Sequence, residues 1–103
     1  MLKNIFDSSV PKSGEVFETL YRNDTLEIEL IASSDTPDQC IYDQDHDEVV
    51  FLISGSATLL IEEKEIELKE GDYLCISAHT RHRVVKTERG CRWLSIRSRK
   101  KLC

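Results

Sequence analysis

At 103 residues the chain has room for one domain with its own core and not for two, because a domain of this size buries roughly two-thirds of its unfolded surface. Lys and Arg total 14 against 19 Asp and Glu, and the formal net charge of -5 opposes the phosphate attraction that nucleic-acid binding requires. No segment approaches the run of about 18 apolar residues that a membrane helix needs, and the opening MLKNIFDSSVPKSG has no signal-peptide core. The expectation is one cytoplasmic domain spanning 1–103, with neither nucleic acid nor membrane as a partner.

In chain order, SGEVFETLY (Ser13 to Tyr21) reads either as a short turn capped by Ser13 or as an edge strand. From Asp24 the pattern alternates, with Leu26, Ile28 and Leu30 on one face and Glu27 and Glu29 on the other, as in a half-buried strand. Strand-like runs follow at Glu48 to Ser54, Ala57 to Glu63, Glu65 to Lys69, Asp72 to Ser77, His82 to Thr87 and Cys91 to Ser98. Gly55, Gly71 and Gly90 supply three of the breaks, and Glu62, Glu63 and Lys64 read as a hairpin tip. Many short strands with scarce helical signal point to a β-sandwich or barrel. The four cysteines, Cys40, Cys75, Cys91 and Cys103, are dispersed without zinc spacing, so reduced thiols are expected. The basic tail RSRKKLC reads as a solvated terminus.

Two segments carry more than periodicity: YDQDHDEVVFLISG (Tyr42 to Gly55) and GDYLCISAHTRHRVV (Gly71 to Val85). Together they resemble the paired motifs of the cupin superfamily. The first family motif runs His-x-His, three or four residues, Glu, six residues, Gly; the second runs Gly, five residues, Pro-x-Gly, two residues, His, three residues, Asn. Here Glu48 and Gly55 reproduce the glutamate-to-glycine spacing, while Tyr42 and Gln44 stand where the two histidines usually stand. In the second motif Gly71 and His82 match, with Ser77 for the proline, His79 for the glycine and Lys86 for the asparagine. The YDQ, DE and AHTRHRV strings are also similar to a group of small bacterial single-domain cupins.

The resemblance implies an all-β double-stranded β-helix, or jelly-roll barrel, with motif 1 near 42–55 and motif 2 near 71–86. It implies a divalent ion (Zn, Fe, Mn or Ni) held by three histidines and a glutamate facing the interior. Of that shell Glu48 and His82 remain, and Gln44 offers an amide oxygen in place of imidazole. Gln44, Glu48 and His82 are thus the expected metal set, with His79 and Tyr42 as weaker candidates. A cavity in which the same three groups hydrogen-bond one another, with no metal, stays open beside it. Strand alternation puts Cys40, Tyr42 and Gln44 on one face, taken as the interior one. Tyr42 and Cys40 are therefore ligand-binding candidates, Arg81 joins them because it flanks His82 and could bind a carboxylate or phosphate, and Glu48 is the candidate general base. The conspicuous His46 falls in the turn between Gln44 and Glu48, where the family pattern places no ligand. Trp93 is expected in the core or at a subunit interface.

Three readings of function follow. The first is a small-molecule-binding protein with a divalent-metal site in the barrel, its ligand sugar-like or a carboxylate. The second is a metal-dependent isomerase, oxygenase or decarboxylase. The third is a homodimeric interaction module using the Val49, Phe51 and Ile53 face.

Overall fold

Eight strands make up nearly all the regular structure of the computed structural model, which describes residues 1–103. They are β1 (Glu15–Arg22), β2 (Leu26–Ser33), β3 (Asp47–Ser54), β4 (Ser56–Ile61), β5 (Lys64–Lys69), β6 (Tyr73–Ile76), β7 (His82–Thr87) and β8 (Cys91–Ser98). One 3₁₀ turn, Ile5–Asp7, is the only helix, capped where Asn4 Oδ1 accepts from the Phe6 amide. No helix is long and apolar enough to cross a membrane. The strands form two antiparallel sheets, a five-stranded one in the order β1-β2-β8-β3-β6 and a three-stranded one in the order β5-β4-β7. This is the jelly roll implied by the cupin resemblance, and one of the all-β forms expected from the strand spacing.

The ambiguous segment at Ser13 to Tyr21 resolves as edge strand β1, paired with β2 along one side only. At the expected hairpin between β4 and β5, Glu62 and Glu63 both take positive φ, 48° and 69°. That is the backbone of a two-residue turn whose twist matches the flanking strands, here made without the Asn-Gly that adopts it most cheaply. Gly55 sits at the corner where the chain leaves the five-stranded sheet for the other. Its φ is +88°, and a Cβ added there would lie 3.1 Å from the Cys91 Cα. Both the conformation and the close approach require glycine, which explains the fixed distance from Glu48 to Gly55.

Register stacks the inward side chains of β2, β8 and β3 in layers. Ile31, Trp93 and Leu52 pair across the sheet, then Glu29, Ser95 and Val50, then Glu27, Arg97 and Glu48. The first layer belongs to the core, a cluster of Val50, Leu52, Ala57, Leu59, Leu68, Ile76, Cys91 and Trp93 drawn from both sheets. Trp93 is buried there as expected, and its indole N–H donates to Ser33 Oγ at 3.0 Å. The later layers turn polar, so the barrel is apolar at one end and charged at the other.

This corrects the reading of β2. Glu29 faces the barrel interior and lines its cavity, whereas Leu30 and Ile28 lie on the opposite side of the sheet. A hydrophobic face normally marks the inside of a strand, but a barrel with a binding cavity admits charge at its open end.

The thiol expectation is also corrected. Cys75 on β6 and Cys103 at the C-terminus form a disulfide with Cα atoms 5.9 Å apart, within the span such a bond requires. Their separation of 28 residues hid the pairing. Cys40 and Cys91 are free thiols. Burial pushes the Cys91 thiol up to about 12.

Candidate functional site

The two motif segments meet through their backbones. Tyr42 N donates to His82 O at 2.8 Å, and His82 N donates back to Tyr42 O at 3.0 Å. A further bond, His79 N to Gln44 O at 2.6 Å, joins the loop before β7 to the segment before β3. These bonds bring Tyr42 and Gln44 beside His82 although nearly forty positions separate them in the chain. The Tyr42 and His82 rings stack with centroids 5.6 Å apart.

A cavity of about 90 Å³ lies at the polar end of the barrel, walled by Tyr42, Gln44, Glu48 and His82 with Glu29 and Arg97. Its remaining wall is largely apolar, including Phe17, Ile31, Val50, Leu59, Ile76, Val84 and Trp93. The volume accommodates several waters or a small ligand.

Glu48 and His82 are each only 8 % exposed, and Glu48 Oε1 stands 3.8 Å from His82 Nε2. Ser95 Oγ donates to the other carboxylate oxygen of Glu48. His82 Nδ1 lies 2.8 Å from the Thr80 carbonyl oxygen, and a carbonyl only accepts, so Nδ1 carries the hydrogen. In the neutral ring Nε2 then presents its lone pair toward a carboxylate oxygen. Two electron-rich atoms face each other across a buried gap, an arrangement that calls for a proton or a cation between them. A backbone carbonyl holding Nδ1–H while Nε2 points into the site is also how metal-binding imidazoles are oriented.

The other charges form a belt around this pair. Arg97 Nη2 donates to Glu27 and lies 3.3 Å from Glu29 Oε1. Burial raises the Glu29 carboxyl above its usual value, with the Arg97 guanidinium pulling it the other way. Glu15 on β1 adds another carboxylate to the lining. Burial likewise raises the Tyr42 phenol, keeping it a neutral hydroxyl at physiological pH.

Three expected candidates stand apart from the cavity. Cys40 lies on the surface, where its Sγ donates to Asp38 Oδ1 at 3.0 Å. The inference of an inward thiol failed because only Tyr42, through its single bridge to His82, has strand pairing in that stretch. Alternation holds from Tyr42 to Gln44 and does not reach back to Cys40. His79 is exposed, with Nδ1 3.3 Å from Asp43 Oδ1. Its φ of 61° is the left-handed conformation that glycine adopts freely, which accounts for glycine at this place in the family pattern. Arg81 is exposed on the outer surface beside Glu62 and Glu63. His46 pairs with Asp45 at 3.1 Å in the bend before β3, away from the cavity lining. Glu29, Arg97, Ser95 and Glu15 were missed as site residues; the one available signal was charge at alternate positions of β2, Glu27 and Glu29.

Fold and site together define a small jelly-roll barrel with a buried carboxylate–imidazole pair at the polar end of its cavity. The cupin domain model matches residues 34–97, more than half of the chain, and the chain belongs to the cupin family. It is similar to the structure of a provisionally assigned mannose-6-phosphate isomerase from Ralstonia eutropha JMP134, at 34 % identity and a TM-score of 0.83. That likeness covers 95 % of this chain and 97 % of the other. A cupin superfamily protein from Desulfitobacterium hafniense DCB-2 aligns at 19 % identity and a TM-score of 0.81, covering 94 % of this chain and 88 % of that one. KdgF from a Halomonas species aligns at 17 % identity and a TM-score of 0.77, over 85 % and 81 % of the two chains. At those lower identities the likeness shows the fold alone. Comparison with curated proteins found no match.

Proposed function

We propose that this cupin binds a small hydroxyl-bearing molecule in its barrel cavity, with a divalent ion held between Glu48 and His82. The supporting observation is the His82 Nε2 lone pair facing Glu48 Oε1 at 3.8 Å, with Nδ1 already committed to Thr80. The donor chemistry suits a borderline ion such as Zn, Fe, Mn or Ni, with Gln44 on the same cavity wall as a neutral third donor. Fewer imidazoles than the family pattern carries imply a weakly held, exchangeable ion with positions left for ligand or water. When bound, such an ion polarises the ligand oxygens it contacts. Tyr42, Gln44 and Arg97 supply hydrogen bonds for orientation, and the apolar wall excludes water.

Charge narrows the ligand. Glu15, Glu29 and Glu48 face the cavity against one guanidinium, and that guanidinium is engaged by Glu27 and Glu29. A carboxylate or phosphate ligand would meet this acidic lining unfavourably, so a neutral polyhydroxy compound fits better. Metal analysis and calorimetric titration of untagged protein with Zn²⁺ and Mn²⁺ test the reading. One site per chain is expected, lost in both Glu48→Ala and His82→Ala; unchanged binding in both variants would reject it.

A second reading, isomerase activity, draws support from the 34 % identity to the Ralstonia protein. Glu48 would then be the base that moves a proton between adjacent carbons of a sugar-like substrate. The acidic lining favours unphosphorylated substrates, and an aldose–ketose assay in which Glu48→Gln retains full turnover would exclude Glu48 from that role. The proposal includes a homodimer formed on the side where Phe51 stacks on exposed Tyr73, centroids 5.1 Å apart. Light scattering that gives a monomer at high concentration would contradict it.

A further inference from the structure

Behind the site, on the other side of β3, a second constellation has no part in the proposed binding. Asp47 is buried, and its carboxylate accepts three backbone hydrogen bonds: Oδ1 from Ala78 N at 2.9 Å, and Oδ2 from Leu102 N at 2.7 Å and Cys103 N at 3.0 Å. One acceptor thus joins the start of β3, the loop leading to His82, and the last two residues of the chain. Cys103 is also the residue bonded to Cys75. Both partners of that bond are exposed, and Cys75 lies on the surface of edge strand β6.

Neither remaining thiol is bonded to the pair. Cys91 is fully buried, and Cys40 is engaged with Asp38. Both cysteines of the pair are open to thiols from solution.

We infer that the Cys75–Cys103 disulfide is a redox-reversible latch that fastens the C-terminal tail across Asp47. Opening it takes two equivalents of a low-molecular-weight thiol. The thiolate of the first attacks one sulfur of the bond, forming a mixed disulfide and releasing the other cysteine as a thiolate that takes up a proton. The second attacks the mixed disulfide, leaving Cys75 and Cys103 as thiols and the two small thiols joined as a disulfide. Two electrons and two protons enter the protein. Without the covalent tether the Leu102 and Cys103 amides are held by their hydrogen bonds to Asp47 alone. Release frees the already exposed cationic segment Arg99, Lys100 and Lys101 to move and leaves Asp47 bonded to the Ala78 amide only. A reducing compartment keeps the latch open and an oxidising one closes it.

The test uses the full chain before and after treatment with dithiothreitol, with Cys103→Ser as a variant whose change lies at the terminal residue. Air-oxidised, denatured protein should titrate two thiols and reduced protein four. Limited trypsin cleavage after Arg99, Lys100 or Lys101, followed by mass after a reducing quench, should accelerate at least tenfold on reduction. Cys103→Ser and Cys75→Ser should cleave at the reduced rate with or without dithiothreitol. Four titratable thiols in the oxidised sample, or cleavage rates within twofold in the two states, would overturn the inference.

Discussion

Asp47 and Glu48 are adjacent carboxylates on β3, equally buried at 8 % exposure, and they do opposite things. Strand alternation turns one toward the tail and the other into the barrel. Asp47 has both oxygens filled by three amides, which hold its carboxyl well below the usual carboxylate range, at about 2. Glu48 has one oxygen occupied by Ser95 and the other facing a ring nitrogen at 3.8 Å across a cavity. The satisfied acid ties backbone segments together, and the under-satisfied one is the acid to which the proposed function assigns binding. Burial alone does not separate the roles; the count of hydrogen-bond partners does.

The largest expected effect lies on the tail side. Closing a loop with a separation of 28 residues restricts the unfolded chain by about 3 to 4 kcal/mol in the chain-entropy picture. Urea unfolding of oxidised protein against Cys103→Ser should show a loss approaching that figure, and a loss under about 1 kcal/mol would mean that the tether adds little to what Asp47 already holds.

Acid should reveal Asp47 next. Its folded carboxyl is lowered from 3.8 to about 2, so the folded state releases this proton more readily than the unfolded chain does. The resulting stability is fully present above the unfolded value and disappears as pH falls through the folded one. Denaturation midpoints should drop between pH 4 and pH 2 in the wild type, and the drop should be shallower in Asp47→Asn. Equal slopes would show that the amide cage is not formed in solution.

On the site side Glu48→Gln should behave in the reverse manner. It retains an acceptor for Ser95 and removes a buried charge, so stability should change by no more than about 1 kcal/mol in either direction. Zn²⁺ affinity should fall at least tenfold. A large stability loss without a loss of ion binding would put Glu48 in the same structural class as Asp47.

The smallest effect is expected at His79. Replacing it with glycine relieves a left-handed side chain while loosening the unfolded chain. These contributions oppose each other, and the net should be within about 1 kcal/mol. Zn²⁺ binding should be unchanged, and a tenfold loss would return His79 to the site.

Much of this was legible before folding was considered. Alternation and turn residues marked seven of the eight strands, and the resemblance of the Glu48–Gly55 and Gly71–His82 spacings to the cupin motifs singled out Gln44, Glu48 and His82, which line one cavity. What escaped notice depended on long-range placement. Glu29 and Arg97 look like the solvent side of strands until β2 and β8 are known to border the polar end of a barrel. The disulfide needs an edge strand and a tail brought together across 28 residues. Cys40 was misplaced because periodicity was extended beyond the one residue, Tyr42, that pairs in that segment. Asp47 passed as a turn acid because nothing in its local sequence shows that three distant amides converge on it.

The Glu48–His82 gap is most directly examined by anomalous X-ray diffraction from crystals soaked in Mn²⁺ or Zn²⁺. A peak inside the barrel, about 2.0 to 2.2 Å from Glu48 Oε1 and His82 Nε2, is the predicted result. An empty barrel, or a peak found only at the surface pairs His79–Asp43 or His46–Asp45, would contradict it.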